Sequence, residues 1–256
     1  MIIFLMFVFG ALIGSFLNVV ALRLPSEERF WRGRSHCVFC NKLLHWFELI
    51  PLVSFLWQGG KCRDCKKNIS WRYILIEIAT GGLFSGTYYF LSGQSLFYFW
   101  PTLICYLIII SVLEIIFLID LKEGIIFDLL IWPFIVLILV FWILSGANWL
   151  IFLLSGLGCA AFFGAQYLLS RGKWIGAGDI GLGFLLGAWL GFPAILVALF
   201  FSYVVGALIG LVLIILKKKS WASSLPFAVF LIPGAFFALF WGHRIVSWYI
   251  GLVGRF

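Results

Sequence analysis

Charge is what this chain has least of. Only 11% of its 256 residues are charged while 64% are hydrophobic, and ordinary soluble domains carry about 25% charged residues, so that class is excluded. The apolar runs are long and unbroken, which excludes the alternating strands of an outer-membrane barrel and leaves a helical membrane bundle. Acids are scarcer than bases, ten against eighteen, for a formal charge of +8. Basic residues beside apolar runs report topology and contact with anionic lipid, so the expected partner is the bilayer and not nucleic acid. Histidine occurs only at His36, His45 and His243, and no serine, histidine and acid set or catalytic cysteine stands out.

A cleavable leader is not expected either. Residues 2–22 have no basic residue before them and Arg23 directly after. A signal peptide needs the positive charge first and a small-x-small site behind the apolar core. The stretch is expected to remain as a first span, with the N terminus outside and Arg23 inside. Ser15 and Asn18, three apart on it, share one helical face.

What is present threads as about eight transmembrane helices of roughly 20 residues each. After the first, spans are expected over residues 73–91, 96–119, 125–144 and 149–169. A short one starts at Asp179 and is interrupted by Pro193, a seventh leads to Lys217, Lys218 and Lys219, and an eighth covers about 225–241. Inside segments then receive residues 23–72, Lys122, Arg171, Lys173 and the three lysines, while outside segments receive only Arg244 and Arg255. Both termini are expected outside. The fold class is an all-α polytopic membrane protein, organised as residues 1–22, a cytoplasmic subdomain over 23–72, and a membrane bundle over 73–256. No inverted repeat of the transporter kind is visible.

The segment 23–72 holds ten of the eighteen Lys and Arg residues, including Arg29, Arg32 and Arg34, and four of the six cysteines. Cys37 and Cys40 form one Cys-x-x-Cys knuckle, and Cys62 and Cys65 form another 21 residues on. Two residues between thiolates let one tight turn aim both sulfurs at an ion, and two such turns complete a tetrahedral zinc site. Four protein ligands leave no open position, so this zinc is structural. His36 and His45 are read as ordinary polar residues, and Cys105 and Cys159 as small buried hydrophobes.

Two acids carry the chemistry. Asp120 ends the third span and Asp179 begins the sixth, which sets both at one depth on the inner side. Two close carboxylates cannot both ionise, so one retains a proton while the other activates water, as in aspartic proteases. Gly176 and Gly178 flank this acid and allow close backbone approach. Gly183, Gly187 and Gly191 follow Asp179 at intervals of four, a small-residue stripe that lets membrane helices pack backbone to backbone. Because Asp179 heads a helix and Asp120 ends one, the helix dipoles make Asp179 the expected base and Asp120 the protonated acid.

These residues resemble the type IV prepilin peptidases, the bacterial GxGD aspartyl proteases. The resemblance rests on Gly14-Ser15-Phe16-Leu17-Asn18-Val19, Arg23-Leu24-Pro25, both knuckles and Ile50-Pro51-Leu52 with Ser54. It extends to Arg72 with Glu77, Asp120 eight before Asp128, and Gly176-Ala177-Gly178-Asp179. It implies that Asp120 and Asp179 are the catalytic acids of an endopeptidase in the bacterial inner membrane. That enzyme cleaves the leader of prepilin or pseudopilin substrates after glycine at the cytoplasmic face, then methylates the new N terminus from S-adenosylmethionine. Glu48, Arg72 and Glu77 mark the implied methyl-transfer or substrate region. Phe127, Val38, Leu49 and Gly181 stand where the family usually has proline, proline, asparagine and lysine. No glycine-rich strand-to-helix fingerprint for the methyl donor is present. The alternative from another class is a proton-coupled transporter relaying protons through Asp120, Asp179 and Glu77.

Overall fold

The structure, a computed structural model, describes residues 1–26, 35–37, 39–93, 95–218 and 225–253. Arg29, Arg32, Arg34, Val38, Lys219 and Arg255 lie outside the described residues. The helices are α1 (Ile2–Arg23), α2 (Val53–Trp57), α3 (Trp71–Leu91), α4 (Leu96–Glu123), α5 (Trp132–Leu144), α6 (Trp149–Ser170), α7 (Ala177–Leu190), α8 (Ala194–Ile215) and α9 (Ala228–Val253). Two isolated bridges are the only β pairing among the described residues.

Among the described residues six helices are long and apolar enough to cross a bilayer, and Asp128–Leu144 and Ala177–Leu190 are shorter apolar elements. Eight apolar segments thus follow the expected order, but only six of them have the length of a span. Pro133 lies in the first turn of α5, where a missing N–H is harmless, and the helix begins only at Trp132. Asp128 consequently sits in a separate 3-10 turn, Asp128–Leu130. Helix α7 has 14 residues, about 21 Å at 1.5 Å per residue, which is short of a hydrocarbon core of roughly 30 Å. It stops because Gly191 takes φ +68° and Pro193 follows. Helix α4 runs past Ile119 to Glu123, and α9 continues to Val253, so His243 and Arg244 lie on a helix.

The chain divides into two compact units, Met1–Leu118 and Ile119–Phe256. In the first, α1 packs on α3 through glycine. A Cβ on Gly10 would stand 2.7 Å from the Thr80 carbonyl oxygen, and one on Gly14 would stand 3.1 Å from Glu77 Cα. Asn18 Nδ2 donates to the Gly14 carbonyl at 3.2 Å and the Tyr73 carbonyl at 3.5 Å. The polar face of α1 is thus spent on joining two helices.

In the second unit α7 is the innermost helix, with Leu182, Leu185, Leu186 and Ala188 fully buried. Its glycine stripe lies on α6. Gly183 faces the Phe163 ring, a Cβ on Gly187 would stand 2.5 Å from the Ser155 carbonyl oxygen, and Gly191 faces Phe152. From the other side, the Trp142 indole of α5 donates to the Ala188 carbonyl at 3.0 Å. The stripe therefore fixes the depth and rotation of the helix that carries Asp179 at its head.

Candidate active site

Asp179 is the third residue of α7, after the N-cap Gly176. Its Oδ2 accepts a hydrogen bond from the Gly176 amide at 2.9 Å, and its own amide donates to the Gly176 carbonyl at 3.2 Å. The carboxylate fastens the loop onto the helix start, where the exposed amides and helix dipole favour negative charge. The two flanking glycines differ in what they permit. A Cβ on Gly176 would meet nothing closer than Asp179 Oδ2 at 3.6 Å, whereas one on Gly178 would stand 2.8 Å from Ile126 Cβ.

Asp120 lies three residues before the end of α4 and is buried, as is Asp179, each at 5% exposure. The backbone amides of Ala228 and Val229, the first residues of α9, face its carboxylate. Its Oδ2 is buried without a hydrogen-bond partner among the described residues. The expectation from dipoles thus changes: Asp120 ends one helix but receives the N-terminus of another, so dipoles alone no longer separate the roles of the two acids. The Asp120 charge reaches Asp179. Two carboxylates that interact strongly titrate as a unit.

Three further features lie beside the acids. Ile175 and Phe227, which precede Gly176 and Ala228, line a cavity of about 350 Å³ together with Gln166, Trp174 and Tyr203. The Tyr203 hydroxyl donates to Gln166 Oε1 at 2.9 Å. The Asp179 charge acts on Tyr203. Gln166 carried a signal that the sequence reading passed over, since it is the one amide side chain in the apolar α6. The Ala228 and Val229 amides had none, because a backbone donor leaves no mark in residue type.

The four knuckle thiols converge. All four Sγ atoms lie within 4.8 Å of one another, and Cys37 and Cys65 are 3.9 Å apart. A tetrahedral ion with bonds of about 2.3 Å requires sulfurs about 3.8 Å apart, so the donor set fits a thiolate-bound metal. The two knuckles repeat one backbone pattern at an offset of 25 residues. Cys37 N donates to Lys42 O and Cys62 N to Lys67 O, both at 2.9 Å. Asn41 N donates to Cys37 O and Lys66 N to Cys62 O, and both donors adopt left-handed φ, +55° and +57°. Leu44 N to Ser35 O and Ile69 N to Gly60 O close the outer rungs. Lys42 pairs with Asp64 at 2.5 Å, joining one knuckle to the other.

Burial pushes the Cys37 thiol up, but the Phe39 and Cys40 amides and neighbouring thiols outweigh it and hold it at about 7. The Lys42 amide lowers the Cys40 thiol, but burial and the three surrounding sulfurs push it up to about 11. Four thiolates so close repel one another unless a cation sits between them.

The charged residues expected near methyl transfer each have a protein partner. Glu48 accepts from the His45 amide at 2.8 Å, and Arg72 Nη2 donates to the Leu118 carbonyl at 2.9 Å. Glu77 Oε2 accepts from the Leu52 amide at 2.8 Å, which holds Leu52 at φ +61°. These bonds shape the first unit.

Comparisons with known proteins bear on the whole chain. A family model described as the bacterial peptidase A24 N-terminal domain matches residues 8–91, and one described as the type IV leader peptidase family matches residues 107–211. Proteins named prepilin leader peptidase/N-methyltransferase are similar over nearly their full lengths. The one from Aeromonas hydrophila is 34% identical, covering 96% of this chain and 93% of its own. That from Bacillus subtilis is 33% identical over 96% and 97%, and that from Pseudomonas aeruginosa is 30% identical over 96% and 92%. No solved structure matches the chain.

Proposed function

Since the chain belongs to the type IV leader peptidase family, we propose that it is a membrane aspartyl endopeptidase. It removes the leader of prepilin-like proteins and methylates the N terminus so exposed. The observation that carries the peptidase reading is the pair of buried acids, Asp120 and Asp179, with the charge of the first reaching the second. In the working state one carboxylate is ionised and takes a proton from water as its oxygen attacks the scissile carbonyl. The other is protonated and donates to the carbonyl oxygen as negative charge develops there. Collapse of the tetrahedral intermediate breaks the C–N bond, the leaving nitrogen takes a proton from the pair, and one proton again remains on the two acids. The Gly176 amide holds Asp179 Oδ2 and the α9 amides face Asp120, so both carboxylates are oriented before substrate arrives. The transporter reading is set aside, because the relatives are peptidases by name.

Zinc held by Cys37, Cys40, Cys62 and Cys65 pins the two knuckles together as a structural ion. Methyl transfer comes to this chain from its family, with S-adenosylmethionine as donor. Glu48, Arg72 and Glu77 are engaged by the protein itself and form no evident cradle for that donor, so their proposed contribution is to shape the region where transfer occurs. Charge distribution supports an inner-membrane orientation with the knuckles and both acids on the cytoplasmic side and both termini outside. Incubation of the purified protein with a pilin precursor, with and without S-adenosylmethionine, tests both activities by mass. Cleavage without the added mass of a methyl group would keep the peptidase and remove the methylase.

A further inference from the structure

A residue that lines the cavity beside the acids carries a donor with nothing to bind. Among the described residues Gln166 Nε2 is buried without a hydrogen-bond partner, while Oε1 of the same amide is occupied by the Tyr203 hydroxyl at 2.9 Å. The phenol hydroxyl donates here to the carbonyl end of the amide, which leaves the nitrogen end unpaired. A buried amide donor left unpaired is unfavourable, and a site that bears this cost is suited to a ligand that supplies an acceptor. Gln166 and Tyr203 both line the cavity of about 350 Å³, whose other walls include Trp174, Ile175, Phe227 and Phe230. Ile175 adjoins the glycine that holds Asp179, and Phe227 adjoins the amide that faces Asp120. The Asp179 charge reaches Tyr203. The cavity is too small to seat a helix, but it suits one bulky apolar residue in extended chain, whose main-chain carbonyl is the acceptor that Gln166 lacks.

We propose that Gln166 is a substrate-binding residue. In this reading its Nε2 donates to a main-chain carbonyl of the precursor next to the scissile bond, Tyr203 orients the amide, and the aromatic walls receive the adjoining apolar side chain. The inference rests on the peptidase reading and names the subsite through which the peptide is held against the acids. It gives a purpose to the one amide in an otherwise apolar helix.

The test compares wild type, Gln166→Leu, Gln166→Glu and Tyr203→Phe in detergent, cleaving a pilin precursor whose leader ends in glycine. Both Gln166 variants lose the donor and are expected to raise KM about tenfold with kcat changed less than about threefold. Tyr203→Phe keeps the ring but frees the amide to rotate, and raises KM about threefold. Thermal melting of each variant near wild type excludes a packing effect. As a readout without turnover, Gln166→Leu in an Asp179→Asn background should bind the precursor about tenfold more weakly than Asp179→Asn alone. Unchanged KM in both Gln166 variants, or a loss confined to kcat, would overturn the subsite. If Gln166→Leu fails to fold, Gln166→Glu decides, and a wild-type KM there overturns the subsite. A wild type that cuts while the variants match it defeats only this inference, whereas a wild type that does not cut defeats the peptidase reading and the inference together.

Discussion

Asp179 Oδ2 and the Gly176 amide are 2.9 Å apart, and this bond ties a candidate catalytic carboxylate to the loop before its own helix. The same loop glycine is sterically free, while Gly178 is pressed against Ile126. Of the two glycines of this motif, only Gly178 is therefore sterically required. Gly176→Ala keeps the amide and meets only an ordinary contact, so cleavage should stay within about threefold of wild type. Gly178→Ala forces Ile126 and the 3-10 turn behind it to move, with an overpacking cost of about 1–3 kcal/mol. Expressed in the activation barrier, that is roughly a tenfold or greater loss of kcat/KM. Equal losses in the two variants would refute the distinction.

The acids should be indispensable and coupled. Asp120→Asn and Asp179→Asn each remove a group that must cycle a proton, and general acid–base work of this kind contributes about 10²–10⁴-fold. Both variants should drop to that extent while folding normally. At low pH both carboxylates hold protons and no base remains, so cleavage falls. At high pH both are ionised and no acid remains, so it falls again. A bell-shaped kcat/KM profile is the expected outcome, with apparent pKa values that belong to the pair. A profile with no acidic limb would rule out the two-carboxylate mechanism.

Much of this arrangement was visible in residue order. The order of the helices followed from apolar length, the thiol cluster from cysteine spacing, and the two candidate acids from their rarity within apolar sequence. Helix ends were less legible where packing overrode the local cue. Glu123, not Asp120, ends α4, and Pro133 in the first turn delays α5 to Trp132. The matched pattern of the two knuckles is written in backbone hydrogen bonds, and Lys42 or Lys67 could not have been named as a carbonyl partner from side-chain type. The glycine stripe announced a close neighbour but not which one, since α5, α6, α8 and α9 all touch α7.

Removal of the metal should act on folding and leave the acids chemically intact. The knuckles each close on themselves through backbone bonds, and among the described residues the exposed Lys42–Asp64 pair and Lys67 over the Phe39 ring at 4.8 Å join one to the other. Exposed contacts of this kind contribute little, so a bound ion would supply much of the cohesion. Cys62→Ala should lose bound zinc, measured as metal per chain, and lower the melting temperature of the protein. Strong chelation of wild type should do the same, and restored zinc should reverse it. Retention of full stability in metal-free protein would show that the thiol cluster is not a structural metal site.

The stripe below Asp179 supplies the sharpest steric test. At Gly187 an added Cβ meets main chain, the Ser155 carbonyl oxygen at 2.5 Å and Gly156 Cα at 2.8 Å, and main chain within a packed helix cannot rotate away. At Gly183 it meets the fully buried Phe163 ring, a side chain with no free rotamer space. At Gly158, also on α6, an added Cβ meets nothing within 4 Å. Leucine at 187 should push α7 off α6 and carry Asp179 away from Asp120, and a displacement of about 1 Å in a catalytic group costs on the order of 10²-fold in rate. Gly183→Leu should follow it, and Gly158→Leu should cleave like wild type. If all three variants behave alike, the stripe is not what holds Asp179 in register with its partner.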